Sequence, residues 1–309
     1  MKTPKFTYHA PRTVAEALDL LAEHDADGKV LAGGQSLIPV MAMRLASPAH
    51  LVDINHLTDE LGGLHVDAEG AHVGALVRHS RLESDAATAR AVPLVGQALR
   101  HVAHPTIRNR GTTVGSLAHA DPSAEMPTVL TLLGGHVVAR SVRGERAIEA
   151  ADFFVGPMES CLAYDELAVS ALFPAPVGRF GTAFDEITRR HGDYALCGAG
   201  VVATLDEAEQ LTSLKVSLVS ISDLPEVIDL TDLVQGTAYD EVDHDVVAQR
   251  VRDVVDPAAD IHASADFRRH LAFVLTRRLT REAAERALAA SPDAADASAP
   301  SPRTAGAPS

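Results

Sequence analysis

The sequence has 309 residues, which is long enough for two or three small domains with a well-buried core. Its hydrophobic content of 46% and charged content of 22% are typical of a globular protein, and its net charge of −15 disfavours nucleic acid or anionic lipid as a partner. Two cysteines, Cys161 and Cys197, are too few for a disulfide framework, an iron–sulfur cluster or a structural zinc site. We therefore expect a cytoplasmic protein, and no apolar run predicts a signal peptide or a membrane span.

The first 57 residues predict a small βαβ-like unit. Thr13 followed by Glu16 matches a capping box, and the apolar residues behind it keep one face, which predicts a helix over 14–24. Strands are expected in the segments KVLAGG and HLVDI, with a helix between them that begins near Ser36. We assign 1–57 as the first subdomain.

A second subdomain is assigned to 58–177. Alternating residues on both sides of a turn at 67–70 predict a β-hairpin over 64–77. Helices are then expected from about Ser80 and over 91–102, and an apolar helix over Pro127–Leu133. Strands in HVVARS and GERAIEA follow this helix.

The remaining structured part, 178–289, is assigned as a third domain of sheet and helices. Strands are expected in the alternating segment 177–206 and over Leu214–Ile221, and Asp266 is expected to cap a long last helix that ends at Ala289. The buried face of that helix is predicted to contain Phe267, Leu271, Val274, Leu275 and Leu279. The Ala/Ser/Pro-rich segment 290–309 has no apolar period and is expected to be a disordered tail.

The segment LAGGQSLIPVMAMRLASP, residues 31–48, places two glycines directly after a predicted strand. A Gly-Gly pair can take positive φ and can present backbone N–H groups to an anionic ligand with no Cβ in the way. Ser36 adds a hydroxyl donor. The alternative is an ordinary glycine turn between a strand and a helix.

A second glycine-containing segment, GTTVGSLAHADP, covers residues 111–122. Its backbone N–H groups and hydroxyls can donate to a diphosphate, while Asp121 and Glu125 can accept from ribityl or ribose hydroxyls. Two separate loops of this kind fit a dinucleotide better than a mononucleotide.

Other motifs are weaker. Neither loop is followed by the Gly-Lys-Ser/Thr of a Walker A motif. The match GAGVVA at 198–203 has Asp223 about 20 residues further on, but the preceding residues are too polar for the buried first strand of a Rossmann fold. No metal site is predicted, because the loop residues that could ligate one lack helical spacing and a third well-placed ligand; they are His101, His104, His119 and Asp121. No catalytic acid, base or nucleophile is predicted.

Three segments together resemble a known family. LAGGQSLIPVMAMRLASPAHLVDI, IRNRGTTVGSLAHADPSAEMP and RRHGDYALCGAG are similar, in order and spacing, to signature regions of the FAD-binding medium subunit of molybdenum hydroxylases, the xanthine dehydrogenase and aerobic carbon monoxide dehydrogenase family. The resemblance covers about residues 4–289. It implies an α+β fold, in which a two-subdomain FAD-binding region of the vanillyl-alcohol oxidase (PCMH) type precedes a C-terminal domain of antiparallel sheet and helices.

The resemblance also implies which residues bind FAD. Residues 32–36 would enclose the diphosphate from one side and 112–116 from the other, with Asp121 and Glu125 near the ribityl chain and ring system and Tyr194 against the flavin ring. The complete expected set is Leu31, Ala32, Gly33, Gly34, Gln35, Ser36, Leu37, Thr112, Thr113, Val114, Gly115, Ser116, Asp121, Glu125 and Tyr194.

One position departs from the family pattern. The family usually has two consecutive glycines where this sequence has Val114 and Gly115. A positive φ at Val114 would cost about 1–3 kcal/mol, because a β-branched side chain is strained there. We expect an ordinary backbone at Val114, so that the valine is tolerated.

The function implied by the resemblance is electron transfer. FAD would receive electrons from [2Fe-2S] clusters in a small partner chain, while a molybdenum–pterin site in a large partner chain hydroxylates the substrate, in a dimer of heterotrimers. A stand-alone FAD oxidoreductase that acts on a small substrate is the alternative, and a non-enzymatic assembly protein is a third hypothesis.

Overall fold

The computed structural model of the protein describes residues 2–290. The predicted tail from residue 291 onward lies outside these described residues. The N-terminal part forms a parallel sheet in which the third strand lies in the middle. Its elements are β1 (Thr7–His9), α1 (Val14–His24), β2 (Gly28–Leu31), α2 (Leu37–Ala42) and β3 (His50–Asp53).

The first helix forms where the capping pattern predicts it. The Thr13 hydroxyl accepts a hydrogen bond from the Glu16 backbone N–H at 3.1 Å, and the Glu16 carboxylate accepts from the Arg12 N–H at 2.6 Å. The apolar face of α1 is buried against the sheet through Val14, Ala17, Leu18 and Leu21. The predicted βαβ-like unit is present, since β2, α2 and β3 follow one another with parallel strands.

The second part of the chain is built on an antiparallel sheet with strand order β4-β5-β10-β6-β7. The predicted hairpin is its edge, and Asp67 holds the turn by accepting from the Glu69 and Gly70 N–H groups. Its strands are β4 (Leu64–Val66), β5 (Gly70–Gly74), β6 (His136–Ser141), β7 (Gly144–Glu149) and β10 (Leu167–Pro174), with a separate pair β8 (Phe154–Gly156) and β9 (Glu159–Ser160).

Short helices surround this sheet. They are α3 (Thr58–Leu61), α4 (His79–Ser84), α5 (Ala86–Ala91), α6 (Pro93–Leu99), α7 (Pro105–Arg108), α8 (Thr113–His119), α9 (Glu125–Leu133) and α10 (Ala150–Phe153). Three of them correct the sequence prediction. The helix expected over 91–102 is the shorter α6, because the chain leaves the helical conformation at Val92. The segment 111–122, expected to be a loop, contains α8, and the apolar helix begins at Glu125 rather than at Pro127. The Thr112 side chain provides the N-cap that starts α8.

The last part of the chain is an antiparallel sheet whose strands follow in chain order, with two helices on one face. Its elements are β11 (Arg179–Thr188), β12 (Ala195–Leu205), β13 (Leu211–Val219), β14 (Val227–Asp229), α11 (His244–Val254) and α12 (Ala265–Ala289). Gly181 lets α12 approach β11 closely, because a Cβ there would lie 2.1 Å from the Ala283 carbonyl oxygen. The segment 198–203 lies inside β12, so GAGVVA is strand and not a Rossmann turn.

The end and the buried face of α12 differ in part from the prediction. Ser264, not Asp266, caps the helix by accepting from the Phe267 N–H at 3.2 Å. Phe267 and Val274 are exposed, at 44% and 40%, while the other three predicted residues are buried. Each step along a helix turns by about 100°, so Val274 points away from the face that carries Leu275. The inward stripe continues instead through Ala272, Thr276, Thr280, Ala283, Ala284 and Ala287.

Candidate functional site

The first glycine loop, residues 32–36, leaves the carboxyl end of β2 and leads into α2. Gly34 has a φ of +70°, a conformation that L side chains rarely adopt, and its carbonyl oxygen accepts from the Ile38 N–H at 3.1 Å. Gln35 folds back and donates to the Gly33 carbonyl oxygen at 3.0 Å. The loop is therefore a tight turn, and glycine at position 34 supplies the positive φ that the turn requires.

The second glycine loop, residues 111–116, leads into α8. The Thr112 hydroxyl accepts from the Gly115 N–H at 3.2 Å, and a Cβ at Gly115 would lie 2.5 Å from that hydroxyl oxygen. Val114 lies inside the right-handed helix with 1% of its surface exposed. Val114 therefore does not need a positive φ. The backbone strain that a valine would have in that conformation is absent.

The two loops touch each other at Gly33. A Cβ at Gly33 would lie 2.5 Å from the Arg110 carbonyl oxygen and 2.7 Å from the Gly111 Cα. Only glycine permits this approach, because contacts under about 3 Å with backbone atoms cannot relax. The pair of glycine motifs thus forms one continuous surface, although about 78 residues separate them in the chain.

Asn55 and Arg78 connect the two loops through hydrogen bonds, and neither residue was predicted from the sequence. The Asn55 amide donates to the Ala32 carbonyl oxygen at 2.8 Å, and the Arg78 guanidinium donates to the Asn55 side-chain oxygen at 2.6 Å. Arg78 also donates to the carbonyl oxygen of Arg110, directly before the second loop. Asn55 could have been predicted from the sequence, because it comes shortly after β3. The parallel strands β2 and β3 end at the same edge of the sheet, so a residue that follows β3 lies near the loop that follows β2.

The two loops border a cleft with a cavity volume of about 610 Å³. This volume lies in the range of cofactor and ligand sites in proteins. Thirteen of the fifteen predicted residues line it: Ala32, Gly33, Gly34, Gln35, Ser36, Leu37, Thr112, Val114, Gly115, Ser116, Asp121, Glu125 and Tyr194. Leu31 and Thr113 do not line this cleft. Thr113 is buried, and its hydroxyl oxygen lies 3.1 Å from Nδ1 of His79. This contact directs the Thr113 side chain away from the cleft.

Acidic groups and a tyrosine gather at one part of the cleft. Burial raises the pKa of Glu125 to about 7, and the nearby charge of Asp121 acts in the same direction. Burial, together with the nearby charge of Asp121, raises the pKa of Tyr194 to about 12. Tyr194 borders the cleft with 67% of the residue exposed, so the residue is accessible from the cleft.

Behind Glu125 lies a second buried carboxyl group. Burial raises the pKa of Glu186 to about 8, and the charges of Glu125 and Asp185 add to the effect. One carboxyl oxygen of Glu186, Oε2, is buried with no hydrogen-bond partner among the described residues, and the other lies 3.9 Å from Nδ1 of His101. Glu125 in the wall of the cleft and Glu186 outside its lining are therefore both carboxyl groups whose pKa lies near neutral pH.

The comparison with protein families identifies this arrangement. A family model described as the FAD binding domain in molybdopterin dehydrogenase matches residues 4–176, and one described as the CO dehydrogenase flavoprotein C-terminal domain matches 182–283. The chain belongs to this molybdopterin dehydrogenase flavoprotein family. The resemblance and the fold class predicted from the sequence are confirmed, and FAD is the cofactor of the domain that contains both glycine loops.

Individual relatives match along nearly the whole chain. The caffeine dehydrogenase subunit beta of Pseudomonas sp. (strain CBB1) is 38% identical over 290 residues, 93% of this chain and 97% of that protein. The nicotine 6-hydroxylase medium subunit of Paenarthrobacter nicotinovorans is 37% identical over 289 residues, 93% of this chain and 100% of that protein. The crystal structure of quinoline 2-oxidoreductase from Pseudomonas putida 86 contains a chain with a TM-score of 0.88 and 37% identity, covering 93% of this chain and 100% of that one.

These relatives are oxidoreductase subunits, and the present chain is an oxidoreductase subunit of the same class. Within residues 2–290, we find no helix that combines the length and the apolar character of a membrane span.

Proposed function

We propose that this chain is the FAD-carrying electron-transfer subunit of a molybdenum-dependent hydroxylase, and that it passes electrons from iron–sulfur clusters of a small partner chain to an external acceptor. The observation that carries the proposal is the contact between the two glycine loops at Gly33 and Gly111, which makes one surface of backbone groups along the cleft. When bound, FAD supplies one- and two-electron redox chemistry.

The residues of the cleft fit the parts of this cofactor. The glycines leave room for phosphate oxygens at the backbone, and the Ser36 and Ser116 hydroxyls are available as donors along the same surface. Asp121 and Glu125 offer acceptors for hydroxyl groups of the ribityl chain. Tyr194, with 67% of the residue exposed beside the cleft, supplies an aromatic ring for the flavin ring system. In this proposal Leu31 and Thr113 support the loops from behind and do not contact FAD.

The cysteine content of this chain supports the proposal that the iron–sulfur clusters lie in other subunits. A [2Fe-2S] cluster needs four ligands, usually cysteines, and this sequence has two cysteines, of which Cys197 is buried. The clusters and the molybdenum–pterin site therefore belong to partner chains, in what we propose is a dimer of heterotrimers in the cytoplasm.

The names of the relatives also support the proposal that the substrate is bound and oxidised in another chain. The names of these enzymes refer to caffeine, nicotine and quinoline, which are different compounds, yet the matching chain of each enzyme is more than one third identical to this protein. We infer that this subunit transfers electrons to the external acceptor in each enzyme, while the large partner chain determines which substrate is bound.

The test is co-purification from the native host. A tag on this chain alone should recover two untagged chains in equal amount, together with FAD, molybdenum and iron. The Gly33→Ala variant should recover the same two chains and metals with much less FAD. A lone FAD-containing chain that oxidises a small substrate with oxygen would contradict the proposal and favour a stand-alone oxidoreductase.

A further inference from the structure

Three histidines meet in the N-terminal sheet, outside the lining of the FAD cleft. His9 ends β1, His24 is the last residue of α1, and His50 begins β3. His50 pairs with Thr7 in the register of β1 and β3, so His50 and His9 project from the same face of the sheet. The last turn of α1 brings His24 onto that face. We call these three residues the histidine cluster.

The ring nitrogens of the cluster are within the reach of one ion. One ring nitrogen of each histidine lies within 4.8 Å of the others, and His9 Nε2 is 2.9 Å from His50 Nδ1. The His24 and His50 rings stack, with centroids 3.6 Å apart and planes 14° from parallel. In a tetrahedral site with Zn–N distances of about 2.0–2.1 Å, ligand nitrogens lie roughly 3.3 Å apart. The ring nitrogens of the cluster, which lie within 4.8 Å of one another, are therefore close to the spacing that one ion requires.

One nitrogen in the cluster lacks a protein partner. His24 Nε2 is buried from solvent and makes no hydrogen bond to any of the residues 2–290. A buried polar atom without a partner costs free energy, about 1–3 kcal/mol, so such atoms need an explanation. A bound metal ion would satisfy this nitrogen.

We propose that His9, His24 and His50 bind one divalent transition-metal ion of the zinc type. Imidazole nitrogen is a preferred ligand of Zn²⁺, Cu²⁺ and Ni²⁺, whereas Mg²⁺ and Ca²⁺ require oxygen ligands, which this cluster does not supply. Three protein ligands leave a fourth position for water. The ion joins α1 to β1 and β3 of the short parallel sheet, and its effect is therefore to stabilise the N-terminal subdomain.

A second group with metal-ligand atoms serves as an internal comparison. Asp67, Glu69 and His72 lie together at the β4–β5 turn, and two of the three are exposed. Asp67 is already occupied there, since it accepts from the Glu69 and Gly70 N–H groups. The hydrogen bonds of the turn account for the position of Asp67 without an ion. We therefore expect no metal binding at this second group.

The experiment uses the full 309-residue chain, purified without a histidine tag, stripped with chelator and dialysed into chelator-free buffer. Titration with ZnCl₂, followed by calorimetry and by metal analysis after gel filtration, should show one ion per chain. CoCl₂ should give the visible absorption of a four-coordinate Co²⁺ site. The His24→Gln and His50→Gln variants should bind at least about tenfold more weakly, while His56→Gln and Asp67→Asn, at exposed positions, should bind as the wild type does.

Thermal melting separates a binding site from a purely structural role of the histidines. Zn²⁺ should raise the melting temperature of the wild type and of both controls, but not that of His24→Gln or His50→Gln. Wild-type chain that binds no Zn²⁺ and gives no Co²⁺ spectrum would overturn the proposal, whatever the folding of the variants. So would equal binding by His24→Gln, or binding lost in Asp67→Asn. The FAD content does not depend on this outcome, so the two proposals fail separately.

Discussion

Gly33 packs directly against the backbone of Gly111, so that a side chain at Gly33 would lie 2.5 Å from the Arg110 carbonyl oxygen and 2.7 Å from the Gly111 Cα. This contact joins two loops that are far apart in the sequence. Both loops line the same cleft, and each continues into a short helix. The contact therefore makes specific predictions about substitutions in the site.

The Gly33→Ala variant should separate the loops. The added Cβ cannot be accommodated by a flexible side chain, because its neighbours are backbone atoms, and overpacking of this kind costs about 1–3 kcal/mol. We expect FAD affinity to fall at least about tenfold, as measured by fluorescence titration of stripped protein. The control is Gly96→Ala, where nothing lies within 4 Å of the new Cβ; it should leave affinity unchanged. Equal affinity in the two variants would show that the contact does not shape the site.

Asn55→Ala should weaken FAD binding without direct contact to the cofactor. It removes the amide that donates to Ala32 and leaves Arg78 without its side-chain acceptor. Loss of partners for buried polar groups costs about 1–3 kcal/mol, which should appear as a lower free energy of unfolding. Chemical denaturation and FAD titration of the same preparation measure both quantities. Asn109→Ala, at an exposed position, is the matched control, and an Asn55→Ala protein that behaves like it would contradict the proposed tie between the loops.

Val114→Gly tests whether the departure from the family pattern matters. Val114 is buried in α8 with a helical backbone, so glycine there removes packing and adds backbone entropy to the unfolded state. We expect a loss of about 2–4 kcal/mol in the free energy of unfolding and no gain in FAD affinity. Tighter FAD binding by the variant would mean that the valine degrades the site.

Glu186→Gln should change the pH dependence of stability. The pKa of Glu186 is raised to about 8 in the folded protein, so folding favours the protonated form. The stability that this proton contributes is fully present below the carboxyl group's ordinary pKa of about 4.3 and is lost as pH rises through 8. We expect the variant and the wild type to melt alike at pH 5 and the variant to melt higher at pH 9. The exposed Glu207→Gln control should show no such divergence, and a Glu186→Gln protein that follows the wild type at both pH values would contradict the buried, neutral carboxyl.

Local patterns in the sequence predicted much of the fold. The capping pattern at Thr13 and Glu16 predicts α1, and alternation around Asp67 predicts the β4–β5 hairpin, because both structures depend on neighbours in the chain. The start of α12 was predicted less well. Ser264 and Asp266 are both good N-caps, and only the path of the preceding chain decides between them.

The site was predictable where its residues follow a motif and not where they depend on tertiary contacts. Both glycine loops are visible in the sequence, and thirteen of the expected residues line the cleft. Thr113 lies in the same motif but turns toward His79, a partner from another helix that no local pattern reveals. The same holds for Arg78, which connects the loops through hydrogen bonds spanning 23 and 32 residues.

The visible absorption spectrum of the purified protein, followed by acid release of its ligand, tests the central claim most directly. We predict the two-banded spectrum of an oxidised flavin and one released FAD per chain, in the assembled complex or after addition of FAD to the isolated chain. Gly96→Ala should give the same spectrum, and Gly33→Ala should lose most of it. A colourless wild-type protein that binds no added FAD, alone or with its partner chains, would contradict the account.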